Sequence, residues 1–154
     1  MAATIREIAD AVVAKIAADW QPTGNDTVER VYLPGVEDIK ELTGRRVQVW
    51  FEDYGQADIA SRAQDRNNFV VVVDVYEKCD EQGEPSVAWV DERVDWVSSI
   101  WVLLNAARNP PLFPAPLNDV IPASSSRVGS YDPDLLREEN LFASRIAITY
   151  ERDE

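Results

Sequence analysis

The chain has no histidine and only one cysteine, Cys79, among its 154 residues. Without an imidazole it lacks the commonest general base and the commonest zinc ligand, and triads of the Ser-His-Asp and Cys-His types cannot be built. A single cysteine excludes an intrachain disulfide and a metal site made of several thiolates. We therefore predict no catalytic, metal-binding or cofactor-binding residues, and we expect that the protein is not an enzyme.

Basic residues are also scarce, and the glycines are not clustered. The chain has 15 Lys and Arg against 28 Asp and Glu, a formal net charge of -13. Gripping nucleic-acid phosphates needs clustered Lys and Arg, so this balance argues against a DNA-binding surface. It fits an ordinary acidic protein, a surface that repels DNA, or a mimic of DNA charge. The six glycines stand singly, so no phosphate-cradling loop is predicted.

No apolar run has the length of a membrane span or of a signal peptide. Charged side chains interrupt the first 20 residues at Arg6, Asp10, Lys15 and Asp19, so we expect cytoplasmic synthesis and no membrane contact. With 45% hydrophobic residues over 154 positions, the chain is long enough for a well-formed core. A single domain over residues 1–154 is therefore predicted.

The most informative segment runs from residue 69 to residue 104. Residues 69–76 read Phe-Val-Val-Val-Val-Asp-Val-Tyr, and a strand that is apolar on both faces is covered on both faces. From Trp89 to Leu104, apolar side chains recur at three- and four-residue spacing, which predicts a helix from about Ser86 to about Arg108. A strand and a helix of this kind favour a scaffold that buries surfaces, including surfaces between copies of itself.

The rest of the chain predicts shorter elements joined by two unusual connections. Residues 53–68 are polar and are predicted to form a flexible loop that becomes ordered on assembly. Residues 109–126 hold five of the nine prolines, which predicts an extended connector. Thr4 and Glu7 have the spacing of a capping box. The other predicted elements are a helix over 4–20, strands over 28–33, 45–51, 127–132 and 141–150, and a helical turn over 133–138.

This order predicts an α+β fold, with a mostly antiparallel sheet on which an N-terminal helix and one long central helix pack. Asp74 interrupts the central strand, either as a buried acid or metal ligand, or in a purely structural role in which it lies near the exposed end of the strand or pairs with an arginine of a neighbouring strand. The second reading is favoured because no other acid has ligand spacing beside it. Asp91, Glu92 and Asp95 share a helix face that is predicted to be solvated rather than to bind a divalent cation, and Cys79 is predicted to be a structural or free thiol rather than a nucleophile.

Six residues are candidates for contact with a partner or with another copy: Arg45, Arg46, Arg62, Arg66, Leu112 and Phe113. The arginines either meet an acidic surface of a neighbouring copy or are scattered solubilising charges. Leu112 and Phe113, which prolines flank, either form a docking tip or fold back onto the core of their own chain. The residues alone leave both alternatives open.

Taken together, the order of elements resembles that of the tail terminators and related neck proteins of tailed bacteriophages. The similarity covers most of the chain as a pattern, and no catalytic residue is carried over. It lies in the helix Thr4–Trp20, the strand Arg45–Phe51 with its polar loop, the strand Phe69–Tyr76, the helix Trp89–Leu104, the Pro-rich connector, and the end of the final strand, Arg145–Tyr150.

The resemblance implies a virion protein of the tail or neck that assembles in the host cytoplasm. Such a protein forms a hexameric ring that caps the tail tube, with itself, the tail tube protein and the head-side connector or neck proteins as partners. DNA passes through the lumen without specific binding. The alternatives are a head-completion or adaptor protein of the neck, an acidic inhibitor that mimics DNA, and a small enzyme that uses Asp74 and Glu52.

Overall fold

The computed structural model describes residues 2–51, 68–80, 85–105, 111–123 and 127–152. Six strands, three α-helices and one 3-10 turn are formed by these residues. In chain order they are α1 (Ala2–Trp20), β1 (Thr27–Arg30), the 3-10 turn (Ile39–Glu41), β2 (Arg45–Phe51), β3 (Asn68–Lys78), α2 (Val87–Leu104), β4 (Val120–Pro122), β5 (Arg127–Tyr131), α3 (Pro133–Glu139) and β6 (Leu141–Arg152).

The strands form one mixed, mostly antiparallel sheet in the order β1-β2-β3-β6-β4, with β5 also paired to β6. Only β1 and β2 run parallel; the other described pairs are antiparallel. β4 pairs with residues 150–152 of β6, and β5 pairs with residues 144–147. Since β3 occupies the other side of β6, the two short strands follow one another along the same edge. The predicted α+β class is confirmed.

Both long helices pack on the same face of the sheet. Side chains alternate between the faces of a strand, and Val71, Val73 and Val75 of β3 point into the core with no exposed area. α1 packs over β1 and β2, whereas α2 packs over β5 and β6. The helices contribute fully or almost fully buried side chains to this core: Ile8, Val12, Ile16, Val97, Ile100 and Leu104.

The opposite face of β3 is covered by connecting segments. Val72 is 1% exposed on this face. Nearby, Leu42, Leu141 and Ala143 form a second apolar cluster, against which Ile39 of the 3-10 turn and Leu135 of α3 pack. The prediction that β3 is covered on both faces is therefore confirmed, with helices on one side and mainly connecting chain on the other.

Several predicted element ends differ from the structure, and three of them carry a physical reason or a correction. α1 begins at Ala2, so Thr4 lies inside the helix and the predicted capping box is wrong. β1 ends at Arg30, three residues before the predicted end. α2 ends at Leu104 rather than near Arg108, because Asn105 caps it: its backbone amide and its side-chain Nδ2 both donate to the carbonyl of Trp101.

The described part of the Pro-rich connector is not simply extended. Leu112, Phe113 and Leu117 are at most 6% exposed and belong to the main core. Residues 120–122 then form β4 at the edge of the sheet, the position where a strand tolerates proline. The predicted loop 53–68 lies outside the described residues, apart from Asn68, which begins β3.

Candidate functional site

Most of the large apolar side chains that the structure leaves exposed form two groups. We name the first group, Tyr32 and Leu33, the ridge; these residues are 65% and 90% exposed. We name the second group, Val87, Val94 and Val102 of α2, the stripe; these are 78%, 38% and 67% exposed. Scattered exposed apolar residues are ordinary, but contiguous groups mark interaction surfaces.

The ridge stands on a well-fixed turn of the backbone. The amide of Val31 donates to the carbonyl of Val49 at 2.9 Å. Four residues later, the amide of Gly35 donates to Gln48 Oε1 at 2.8 Å, and Gln48 Nε2 donates to the carbonyl of Gly35 at 2.9 Å. Gln48 is 4% exposed, so this turn is anchored to the interior. Leu33 projects between two fixed points.

The ring of Tyr32 is also held in place. It makes an edge contact with Phe51, with ring centroids 5.9 Å apart. The hydroxyl accepts a hydrogen bond from Arg30 Nη1 at 2.9 Å, and the guanidinium lies 5.2 Å from the ring centroid. Arg30 Nε bonds to Asp10 of α1 at 2.8 Å. The hydrogen bond to Tyr32 is the largest influence that raises the pKa of Arg30, so the ridge keeps a positive charge beside it.

The stripe follows from the periodicity of α2. Ser86 caps the helix by accepting the amide of Trp89 at 3.2 Å, and Val97, Ile100 and Leu104 are buried. Positions 87, 91, 94, 98 and 102 are three or four residues apart and therefore lie along one line on the exposed part of the helix surface. Valine holds three of these positions, although a β-branched residue gains nothing in a water-facing helix.

The two surfaces lie toward opposite ends of the sheet. The ridge follows β1, the first strand in the sheet order, whereas α2 lies over β5 and β6. Strands are spaced by about 4.8 Å, so the three steps from β1 to β6 cover about 14 Å. The chain therefore carries two different apolar surfaces at separate positions along the sheet.

Two of the candidate arginines lie in different environments. Arg45 is part of an internal network: Nε bonds to Glu77 at 2.9 Å, and the guanidinium stacks on Trp96 at 4.6 Å. Arg46 points to the opposite face and lines an open groove of about 620 Å³ together with Glu37 and Glu41. Neither residue belongs to the ridge or to the stripe. Arg62 and Arg66 lie outside the described residues.

Leu112 and Phe113 are buried in the core of their own chain. They are 5% and 1% exposed, and Phe113 packs against Tyr150 with ring centroids 5.4 Å apart. This corrects the expectation of a docking tip in favour of the folded-back loop. The physical reason is that the apolar area of both side chains is already removed from water within the subunit.

Asp74 is the partner of an arginine on the neighbouring strand, which is one of the two structural alternatives predicted for it; the other, a position near an exposed strand end, is wrong. It is 2% exposed and accepts hydrogen bonds from Arg145 Nε at 2.7 Å, from Arg145 Nη2 at 3.1 Å and from Trp50 Nε1 at 2.9 Å. Burial, followed by the charge of Asp74, raises the pKa of the adjacent Tyr76. The carboxylate is thus occupied by a fixed cation and an indole, an arrangement that joins β2, β3 and β6.

The remaining candidate groups show no assembled chemistry in the described ranges. Asp91, Glu92 and Asp95 are exposed, which agrees with a solvated helix face. Among the residues that the structure places, no group of three or more His, Cys, Asp or Glu has the geometry of a metal site. Cys79 is 2% exposed, and its amide donates to the carbonyl of Asn140 at 2.7 Å, which is the setting of a structural thiol.

Sequence reasoning missed both the ridge and the stripe. It placed Tyr32 and Leu33 in a strand, and it placed Val94 on the buried side of α2. A usable signal was present, because Val87, Val94 and Val102 recur at seven- and eight-residue intervals. Three valines at that spacing define a second apolar line beside the buried one.

Comparison with known proteins adds no further constraint: no protein-family model matches the chain, and no curated protein does. In the described helices, none is both long enough and apolar enough to cross a membrane.

Proposed function

We propose that this chain is a structural subunit of a tailed-bacteriophage tail or neck, similar in role to a tail terminator. Copies of it form a ring that caps the tail tube and joins the tube to the head-side connector. The observation that carries the proposal is the pair of different apolar surfaces, the ridge and the stripe, toward opposite ends of the sheet.

Two such surfaces are what a ring requires. In a ring, one patch of each subunit meets a different patch of the next subunit, and the chain of contacts closes when the rotation allows it. A surface of two or three side chains gives a weak contact by itself. Closure holds every subunit from two sides, so the assembly is more stable than a single contact suggests.

The charge of the chain supports the same role. A ring built from subunits with a net charge of -13 has acidic surface wherever its arginines do not neutralise the carboxylates. Phosphates are repelled by such a surface, so DNA passes through the lumen without specific binding.

The rival reading as a DNA mimic needs rows of unpaired carboxylates. Several of the described acids are instead bound to arginines: Asp10 to Arg30, Asp74 to Arg145, Glu77 to Arg45 and Arg93, Glu92 to Arg93, and Asp134 to Arg137. These pairs interrupt any regular row, so the structural role is favoured over the inhibitor.

The test is the mass of the protein in solution, measured by light scattering after size exclusion over a range of protein and salt concentrations. One copy has a mass of 17.3 kDa, so a six-membered ring, the number that the resemblance implies, has a mass of about 104 kDa. Negative-stain images of that fraction should show rings with a central hole. A monomer under every condition contradicts self-assembly and favours an adaptor that joins a preformed ring.

A further inference from the structure

We propose that the contact between neighbouring subunits consists of the ridge of one copy seated on the stripe of the next copy. This inference rests on the ring proposed above and assigns both halves of its interface. The occupant of the stripe is thus a second copy of this chain, held through Tyr32 and Leu33.

The shapes of the two surfaces match. Val94 and Val102 are eight residues apart in α2, which corresponds to about 12 Å along the helix axis. Ser98 lies midway between them on the same line and is much smaller, so the helix surface has a recess there. The side chain of Leu33, which is 90% exposed on a fixed turn, has the size and the projection to enter such a recess, as a knob enters a hole between helical side chains.

The charges beside the two apolar surfaces are complementary. Arg30 Nε donates to the carboxylate of Asp10, and Nη1 donates to the hydroxyl of Tyr32. Among the described residues, Nη2 of Arg30 has no hydrogen-bond partner. Next to the stripe, Asp91 and Asp95 are exposed, and no described cation pairs with either of them. Docking of the ridge brings a guanidinium toward carboxylates, which fixes the register of the contact and disfavours the pairing of two stripes.

The other exposed aromatic residue already has a partner within its subunit. Tyr131 is 37% exposed and stacks on Phe142, with ring centroids 5.9 Å apart and an angle of 24° between the planes. Tyr32 also has partners within its chain but is 65% exposed and adjoins Leu33, whereas Tyr131 stands singly; among the large apolar side chains described as exposed, the ridge and the stripe are therefore the two groups of more than one residue.

The experiment uses two full-length variants, each of which inactivates one half of the interface. The ridge variant is Leu33→Glu. The stripe variant combines Val94→Glu and Val102→Glu, which preserve the helix because glutamate is a better helix former than valine. Ala18→Glu, at an exposed position of α1 outside both surfaces, is the matched control for added charge. Circular dichroism and thermal melting verify that every variant is folded.

At a concentration where the wild type forms rings, we expect both interface variants to be monomers and the control to form rings. When the two variants are mixed in equal amounts, the intact stripe of the ridge variant meets the intact ridge of the stripe variant. This single contact lacks the help of ring closure, so the mixture has to be more concentrated than wild-type rings require. It should then give a 1:1 dimer of twice 17.3 kDa, 34.6 kDa, and no larger species, while each variant alone stays monomeric. The milder Leu33→Ser should weaken assembly roughly tenfold in concentration.

Each contrary result has a distinct meaning. A wild type that never assembles contradicts the ring and the interface together. A wild type that assembles, with either interface variant assembling equally well, overturns this interface and leaves the ring standing. If both variants are folded monomers and their mixture also stays monomeric up to the highest soluble concentration, the ridge does not pair with the stripe and the assignment is wrong.

Discussion

Glu77 connects the sheet to α2 through two arginines, and its removal is the most informative stability test. In the register of β2 and β3 it lies opposite Arg45, whose Nε donates to one carboxylate oxygen at 2.9 Å. Arg93 of α2 donates through Nε to the other oxygen. The guanidinium of Arg45 stacks on Trp96 at 4.6 Å, and that of Arg93 stacks on Trp89 at 4.2 Å.

The geometry sets the expected cost of Glu77→Ala. Breaking a buried ion pair by removing one partner costs about 3–5 kcal/mol, because the remaining charge is left uncompensated. The side chains of Glu77 and Arg93 are each 12% exposed, so this range applies to their ion pair. The side chain of Arg45 is 29% exposed, and screening by water reduces the contribution of the Glu77–Arg45 pair toward about 1 kcal/mol. Arg93 also keeps its contact with Glu92. We therefore expect Glu77→Ala to lower the free energy of unfolding by about 3 kcal/mol.

Burial alone would lower the pKa of Arg93, but its hydrogen bonds and charge interactions with Glu77 and, to a smaller extent, with Glu92 together outweigh this effect and raise the pKa above its ordinary value. Arginine stays protonated in proteins even without a partner, so Arg93 remains charged when Glu77 is removed, and the loss of its buried partner is the source of the cost. Glu77→Gln, which keeps the shape and one acceptor, should cost less than Glu77→Ala.

The assay is urea unfolding followed by tryptophan fluorescence, to which Trp89 and Trp96 contribute directly, and by circular dichroism. Glu92→Ala is the matched control, because Glu92 bonds to the same arginine but its side chain is 75% exposed; it should cost no more than about 0.5 kcal/mol. The reasoning is refuted if Glu77→Ala costs less than about 1 kcal/mol, or if Glu92→Ala costs as much.

Three further predictions concern stability. Gly44→Ala should destabilise the protein by well over the roughly 1 kcal/mol expected for Gly24→Ala. Both glycines have positive φ, but a Cβ at Gly44 would lie 2.7 Å from the backbone carbonyl carbon of Asn25, while nothing lies within 4 Å of a Cβ at Gly24. Equal shifts of the thermal unfolding midpoint for the two variants would contradict this. Burial raises the pKa of Tyr150 above its unfolded value of 10.0. Its stabilising contribution is therefore complete below about pH 10, and above that pH the free energy of unfolding falls by up to about 1.4 kcal/mol per pH unit as the unfolded chain ionises. Tyr150→Phe should make this fall less steep in urea titrations, and an unchanged fall would refute the assignment. Phe113→Ala should lower the free energy of unfolding by about 3–5 kcal/mol because Phe113 is buried, whereas Leu33→Ala should leave the unfolding of the dilute monomer almost unchanged. A small loss of stability from Phe113→Ala would favour the hypothesis that Phe113 belongs to an exposed docking tip.

Much of the local structure was predictable from the sequence, because periodicity reports how neighbouring side chains share a face. β2 has the predicted bounds, Arg45–Phe51, and β3 begins one residue before its predicted start. Pro133 begins α3 as predicted. Element ends were less accurate, since they depend on single caps such as Asn105, whose role requires contacts that the surrounding chain arranges.

The sequence by itself thus determined the α+β class, the two-sided burial of β3 and the amphipathic helices. Only the tertiary structure decided which strands pair: β1 runs parallel to β2, and Asp74 meets Arg145, 71 residues away in the chain. It also decided that Phe113 points inward and that Leu33 points outward. The physical reason is that propensity and periodicity act over a few residues, whereas pairing and burial depend on contacts formed when distant segments close on one another.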